Sequence, residues 1–384
     1  MSIFDSPVER RSTQSLKWSG LPDETVIPLC LADMDFLSPA SVTAALTARA
    51  AHGIFGYTGY PDTFFSTIAA WVERRYHWPI QENWIAMNQG VVTSLGVAIR
   101  ALTREHDRII IQSPVYHPFF AVIRQQQREV VENRLVLEDG RYRMDFEALA
   151  QQAKDAKLLL LCNPHNPVGR VWTPDELTQL GRICLEQDVR VLSDDIHSDF
   201  ALRQPYHPFA SLHEDFARIS VTCLSPSKTF NLAGLETSYE VIPDRALSEL
   251  MQAERVRSGI FRPNLFGITA LEQAYRDSDT WLDALQAYLR ESVRIIEDHL
   301  RDQDHLGWIA PEGTFLLWLD GRKLGMTSEA LTEYLLQTAR VRVFSGRIFG
   351  TTGEGFLRLN YAVNHATLRA SLDRITTALA ALTA

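Results

Sequence analysis

Short apolar runs alternate with longer mixed stretches through most of the chain. Trp84-Ile85-Ala86-Met87 and residues 108–111, 158–162, 189–192 and 219–224 are compact apolar segments, which read as buried strands. Between them lie segments with helical spacing and helical punctuation. Ser38-Pro39 reads as an N-cap with Pro at the first helical position, opening a helix to residue 51 with Gly53 just beyond it. A second helix is predicted over 62–76, and others over 91–102 and 119–127. Residues 130–137 read as one strand, Asp139-Gly140 as a turn, and Asp145 as the cap of a helix to residue 154. Thr173-Pro174-Asp175-Glu176 is a capping box that opens a helix to residue 186.

Strands that alternate with helices predict a largely parallel sheet in an α/β fold. The pattern changes after Gly234. Residues 244–302 read as mainly helical, with breaks at Arg262-Pro263-Asn264 and near 277–279. Apolar segments at 309–319 and 341–344 follow, with a helix over 328–339 between them. A last strand begins at Phe356, and a final helix is capped near Asn364. This tail predicts a smaller α+β domain, completed by an extended arm at the N-terminus. The expected division is an arm over 1–40, a large domain over 41–285 and a small domain over 286–384.

Composition narrows the function classes. The 384 residues are 46% hydrophobic, enough for a large core, and the net charge is −9. That charge argues against nucleic acid or an anionic membrane as the main partner. Neither a signal-peptide pattern nor an apolar run of about 20 residues is visible, so a cytoplasmic location is expected. The four cysteines, Cys30, Cys162, Cys184 and Cys223, are widely spaced and read as reduced core residues. With no CxxC, HExxH or Cys/His cluster, no metal site is expected.

The candidate chemistry lies at predicted strand ends, where ligands bind in such sheets. Asn166 follows the strand over 158–162, Asp194 the strand over 189–192, and Lys228 the strand over 219–224. Lys228 stands in Ser225-Pro226-Ser227-Lys228-Thr229-Phe230-Asn231-Leu232-Ala233-Gly234. A desolvated lysine there becomes a nucleophile as its pKa falls. Asn88-Gln89-Gly90 followed by the helix at Val91 forms an anion site of backbone N–H groups. Residues 55–61 form a loop rich in aromatics and glycine. An imine-forming lysine, a carboxylate, an anion site and an aromatic loop together suggest pyridoxal 5′-phosphate (PLP), an electron sink.

With these residues in view, the chain resembles the fold-type I, aspartate-aminotransferase-like PLP enzymes, and within them the MalY/PatB group of cystathionine β-lyases (C–S lyases). The resemblance covers nearly the whole chain. It rests on Ala32-Asp33-Met34-Asp35-Phe36, Gly56-Tyr57, Gly90-Val91-Val92, Pro114-Val115-Tyr116, Asn163-Pro164-His165-Asn166-Pro167-Val168-Gly169, Ser193-Asp194-Asp195-Ile196-His197, Ser225 to Gly234 and Phe356-Leu357-Arg358-Leu359-Asn360. It implies a large domain with a mostly parallel seven-stranded sheet, a smaller α+β domain, and a homodimer with sites at the subunit interface.

The resemblance also implies residue roles. Lys228 would bind the cofactor and later move the Cα proton. Asp194 would pair with the pyridinium nitrogen, Asn166 with the phenolic oxygen, and Tyr116 would stack on the ring. Val91, Val92, Ser225 and Ser227 would hold the phosphate, joined by Tyr57 of the neighbouring subunit, which the resemblance also places with Lys228 among the catalytic residues. Arg358 would clamp the substrate carboxylate, with Asn166 beside it. His197 would also bind the cofactor; it stands where aminotransferases of this fold usually carry a tyrosine, as in the C–S lyase group. Glu236 stands in the region where many of them supply a phosphate-binding arginine, and is expected to point away. The implied reaction is α,β-elimination of L-cystathionine or related L-cysteine S-conjugates to a thiol (homocysteine), pyruvate and ammonia. The alternative is transamination between an amino acid and a 2-oxo acid.

Overall fold

The computed structural model of the chain describes residues 2–382. Its centre is a seven-stranded sheet built from Ile85–Asn88 (β1), Arg108–Ile111 (β2), Glu129–Glu132 (β3), Ala156–Cys162 (β4), Arg190–Asp194 (β5), Ser220–Leu224 (β6) and Ser238–Val241 (β7). The spatial order is β1-β7-β6-β5-β4-β2-β3. Six strands run one way and β7 runs against them. This is the α/β sheet that the alternating pattern predicts.

The run of leucines in β4 shows why its apolar character is unbroken. Leu158, Leu160 and Cys162 pack into one core, and Leu159 and Leu161 into another on the opposite face. A strand covered on both faces has no solvent side to mark with polar residues. Helices supply both covers, among them Val91–Leu102 on one face and Pro174–Glu186 on the other. Thr173 caps the second with a full capping box, as its sequence predicts.

A second sheet is antiparallel. It contains Gly307–Ile309 (β8), Leu316–Asp320 (β9), Phe344–Ser345 (β10) and Phe356–Asn360 (β11), in the order β8-β9-β11-β10. The N-terminal arm lies along this part of the molecule. Ile27–Pro28 pairs in parallel with Val341–Arg342, and the Asn360 N–H donates to the Leu29 carbonyl at 2.7 Å. Phe4, Leu29, Met34 and Phe36 of the arm share one core with Leu357, Leu359 and Leu372.

Two local expectations are corrected. Ser38 does not cap the first long helix. That helix is Ala40–Ala51 with Pro39 at its N-cap, and the Ser38 hydroxyl reaches the Asn231 carbonyl at 3.4 Å instead. Residues 130–137 are not one strand. The large sheet takes Glu129–Glu132, while Val136–Glu138 turns out of it and forms a hairpin with Arg141–Arg143 across Asp139-Gly140. The backbone still follows its neighbour as far as the Leu135 N–H, which donates to the Ser113 carbonyl at 2.8 Å, before the hairpin begins.

Candidate active site

The carboxyl ends of β1, β2, β4, β5 and β6 open on one cavity of about 1190 Å³, roofed by the N-terminal arm. Lys228 lies in the short helix Pro226–Thr229 that follows β6. The Ser225 side chain starts that turn by accepting from the Ser227 N–H at 3.0 Å. The Lys228 amine donates to the Ala32 carbonyl at 2.6 Å. Burial pushes this amine down to about 8, with Arg358 pushing the same way and Asp33 and Asp194 opposing.

Asp194 is the last residue of β5 and is buried. Its Oδ1 accepts from the Ile196 N–H at 3.3 Å, and its side chain lines the cavity. Burial raises its carboxyl to about 6 against the pull of that N–H and of Lys228. Behind it, Asp195 is fully buried and accepts from the Ser193 and Tyr206 hydroxyls.

Arg358 comes from β11, on the face opposite Leu357 and Leu359. It is 2% exposed, with its guanidinium over the Phe349 ring at 4.8 Å and the Phe344 ring at 5.1 Å. Its Nη1 donates to Asn166 Oδ1 at 3.1 Å and its Nη2 to the Cys30 carbonyl at 2.8 Å. Its Nε is buried with no partner, and no carboxylate pairs with the group among the described residues. A buried cation without a counter-ion is costly unless a ligand supplies the charge. This is a seat for a carboxylate, the shape that the planar fork fits.

His197 also lines the cavity. Burial, with Lys228 and Arg358 nearby, pushes its imidazole down to about 3, so it is neutral over the ordinary pH range. Its Nδ1 is buried and unpartnered, and its ring stands edge-on to Phe315 at 5.5 Å. Tyr116, after β2, faces the same space, and burial raises its phenol to about 12. Val91 and Val92 open the helix Val91–Leu102 behind Gly90, whose φ of 92° lets the chain turn sharply there. As the first residues of that helix they have no partner for their N–H groups within it.

The cavity therefore brings together Lys228, Asp194, Asn166, Arg358, His197, Tyr116, Val91, Val92 and Ser227. Two expected residues are not on its wall. The Ser225 hydroxyl is turned to the backbone, donating to the Thr237 carbonyl at 2.7 Å. Tyr57 is fully exposed on its loop and does not reach the cavity of its own chain. Glu236, by contrast, is on the wall. It lines the cavity as an exposed residue with a φ of 45°, next to Thr237, whose carbonyl accepts from Ser225.

Sequence reasoning missed the arm as a wall of the site. Asn231, three residues after Lys228, has a φ of 59° and clips the arm to the lysine turn. Its Nδ2 donates to the Met34 and Phe36 carbonyls, both at 2.9 Å, and its Oδ1 accepts from the Met34 N–H at 3.2 Å. Arg10 then bridges Asp33 and Asp35 at 2.7 Å each, and buried Lys17 meets Asp35 at 2.9 Å. The available signal was the acidic pair Asp33 and Asp35 among apolar neighbours, close in sequence to the basic Arg10 and Lys17.

A strand-end lysine, a buried carboxylate and an unpaired arginine define a carbonyl-cofactor or amino-acid site on an α/β scaffold, and the comparisons with known proteins agree. The chain belongs to the aminotransferase class I and II family, whose model matches residues 24–375. Within that family it is 40% identical to cystathionine β-lyase PatB of Bacillus subtilis, over 98% of this chain and 99% of the relative. It is 32% identical to protein MalY of Escherichia coli, over 94% of each. Cystalysin from Treponema denticola, whose crystal structure contains pyridoxal 5′-phosphate, superposes with a TM-score of 0.96 at 34% identity, covering 100% of both chains.

Proposed function

We propose that this protein is a PLP-dependent carbon–sulfur β-lyase that cleaves L-cystathionine or related L-cysteine S-conjugates. The observation that carries the reading is the pairing, in one cavity, of a lysine amine pushed down to about 8 with a buried arginine that lacks a counter-ion among the described residues. The relatives' names, cystathionine β-lyase among them, support the lyase class.

The residues present fit the cofactor. The helix start at Val91 and Val92 and the Ser227 hydroxyl offer neutral donors to a phosphate. Asp194 offers a carboxylate to a ring nitrogen, and Tyr116 a ring face. When bound, PLP supplies an electron sink for the pair left by the broken Cα–H bond.

The chain's own groups do the rest. Arg358 and Asn166 grip the α-carboxylate, which turns the Cα–H bond toward Lys228. Lys228 takes the Cα proton, and burial lowers its pKa to about 8, so its free-base form gains population above that pH rather than above the ordinary lysine value. Asp194 is ionised above about 6 and so keeps a proton on the ring nitrogen. His197 stays neutral and adds no second positive charge beside Lys228. The arm over Lys228, held by Asn231, limits water at the proton-transfer step. Loss of the thiol then leaves an unsaturated amino acid that hydrolyses to pyruvate and ammonia.

The reading includes a homodimer in which Tyr57 enters the partner's phosphate site. Ile54, Phe55, Tyr57 and Phe261 are all exposed, and Arg262 links their two segments to each other and to cavity-lining Gln89, which supports a copy-to-copy contact. It also includes an arm over 1–40, a cofactor-holding unit over 41–285 and an α+β unit over 286–384. Four buried, free cysteines support a reducing, cytoplasmic setting.

The test is direct. Purified protein supplied with PLP is expected to release pyruvate from L-cystathionine and S-alkyl cysteines. Amino transfer to 2-oxo acids without pyruvate release would replace the lyase reading with the aminotransferase one.

A further inference from the structure

Among the described residues, the phosphate end of the cavity has donors but no free cation, and it has an acidic residue. The Lys and Arg residues on the cavity wall, among the described residues, are Arg10, Lys228 and Arg358. Arg10 is held by Asp33 and Asp35, Lys228 by the Ala32 carbonyl, and Arg358 by Asn166 and the Cys30 carbonyl. None of these bonds lies at the Val91–Val92 helix start.

Glu236 stands at that end. The carbonyl of its neighbour Thr237 accepts from Ser225 Oγ at 2.7 Å, and Ser225 Oγ lies 2.8 Å from Ser227 Oγ. Glu236 is thus tied through one residue and two hydroxyls to the phosphate donors. Its side chain makes no hydrogen bond or ion pair with the described residues. Its φ of 45° is one that glycine or asparagine meets more easily than glutamate does.

We propose that Glu236 sets the affinity for the cofactor: its carboxylate opposes the phosphate and keeps PLP exchangeable. This rests on the reading that the phosphate sits at the Val91–Val92 helix start. Like charges a few ångströms apart in a partly solvated cavity repel, and salt screens that repulsion. A neutral side chain at 236 removes it, and a cofactor without a phosphate never feels it.

The experiment titrates apoprotein with PLP and, separately, with pyridoxal, which lacks the phosphate, following the visible absorbance of the lysine-bound forms. The proteins are wild type, Glu236→Gln and Glu236→Gly; the glycine variant suits the backbone and guards against a folding artefact. Both variants are expected to bind PLP about tenfold more tightly than wild type, with pyridoxal affinity unchanged. Added KCl is expected to narrow the PLP difference. Unchanged or weaker PLP binding in both variants overturns the proposal alone, as does equal tightening for pyridoxal. No absorbance with either compound in any of the proteins overturns the PLP reading and this proposal together.

Discussion

Asn166 and Arg358 are separated by 192 positions in the chain, yet Arg358 Nη1 donates to Asn166 Oδ1 at 3.1 Å inside the cavity. One residue ends a turn after β4 of the large sheet, and the other belongs to β11 of the small one. Their bond aims a planar cation from one sheet across the strand ends of the other. Arg358 and Lys228 line the same cavity, near enough for the guanidinium to push the amine's pKa down.

We predict that Arg358→Ala lowers kcat/KM by about 100-fold or more, mostly through KM. Removing one partner of a buried charged contact costs about 2–5 kcal/mol. Arg358→Lys is expected to recover little, because a point charge cannot make the two-pronged contact. Steady-state pyruvate release from an S-alkyl cysteine measures both, and wild-type KM in Arg358→Ala would refute the clamp.

Lys228 yields a pH prediction. Its folded pKa is lowered to about 8, so the amine is neutral above that pH rather than above the ordinary lysine value. Cofactor capture by the apoprotein is expected to speed up as pH rises toward about 8 and then level off. A rise that continues to pH 10 would show an ordinary amine. Lys228→Ala is expected to lose both the visible absorbance and pyruvate release.

Asp195 predicts a slope in stability. Burial raises its carboxyl to about 8, helped by neighbouring Asp194 and opposed by Ser193 and Tyr206. A carboxyl whose folded pKa is raised contributes stability that is full below its unfolded pKa and is lost as pH rises through the folded one. Asp194 and Asp199, both raised to about 6, have largely made their loss below pH 6.5. His165 and His197, lowered to about 4 and about 3, act in the opposite sense, also below about 6.5. Between about 6.5 and 8 the Asp195 contribution stands out. The apoprotein Tm is expected to fall over that window, and Asp195→Asn to flatten the fall. An unchanged slope in the variant would assign it elsewhere.

The exposed loop predicts an assembly. Replacing Phe55 and Phe261 together by Glu places charge in the exposed apolar group. The double variant is expected to sediment as a monomer and to bind PLP more weakly, since Tyr57 no longer reaches a partner. Tyr57→Phe is expected to weaken PLP binding by a few-fold while leaving the oligomer intact, consistent with loss of one hydrogen bond. A wild-type chain that sediments as a monomer would remove the partner role of Tyr57.

Much of the fold was legible because its signals are local. The unbroken apolar run of β4, the capping box at Thr173 and the glycine turn before Val91 each depend on neighbours in sequence. Lys228, Asp194 and Asn166 were legible as candidates for the same reason, since each follows an apolar run. The failures are non-local. Residues 130–137 are apolar enough for one strand, but Val136–Glu138 pairs with Arg141–Arg143 across the Asp139-Gly140 turn instead of extending the large sheet. Ser38 has a capping chemistry that loses to a contact with Asn231, 193 positions away.

The sequence by itself determined the alternating elements, the strand-end positions of the chemical groups and the scarcity of cations around them, because these follow from periodicity, turn residues and composition. Only the tertiary structure decided that the N-terminal arm roofs the cavity, that Arg358 has no counter-ion among the described residues and that Glu236 lines the wall. Each of those depends on contacts between segments far apart in the chain. Burial, which shifts the Lys228, Asp194 and His197 pKa values, exists only once those segments have closed over one another.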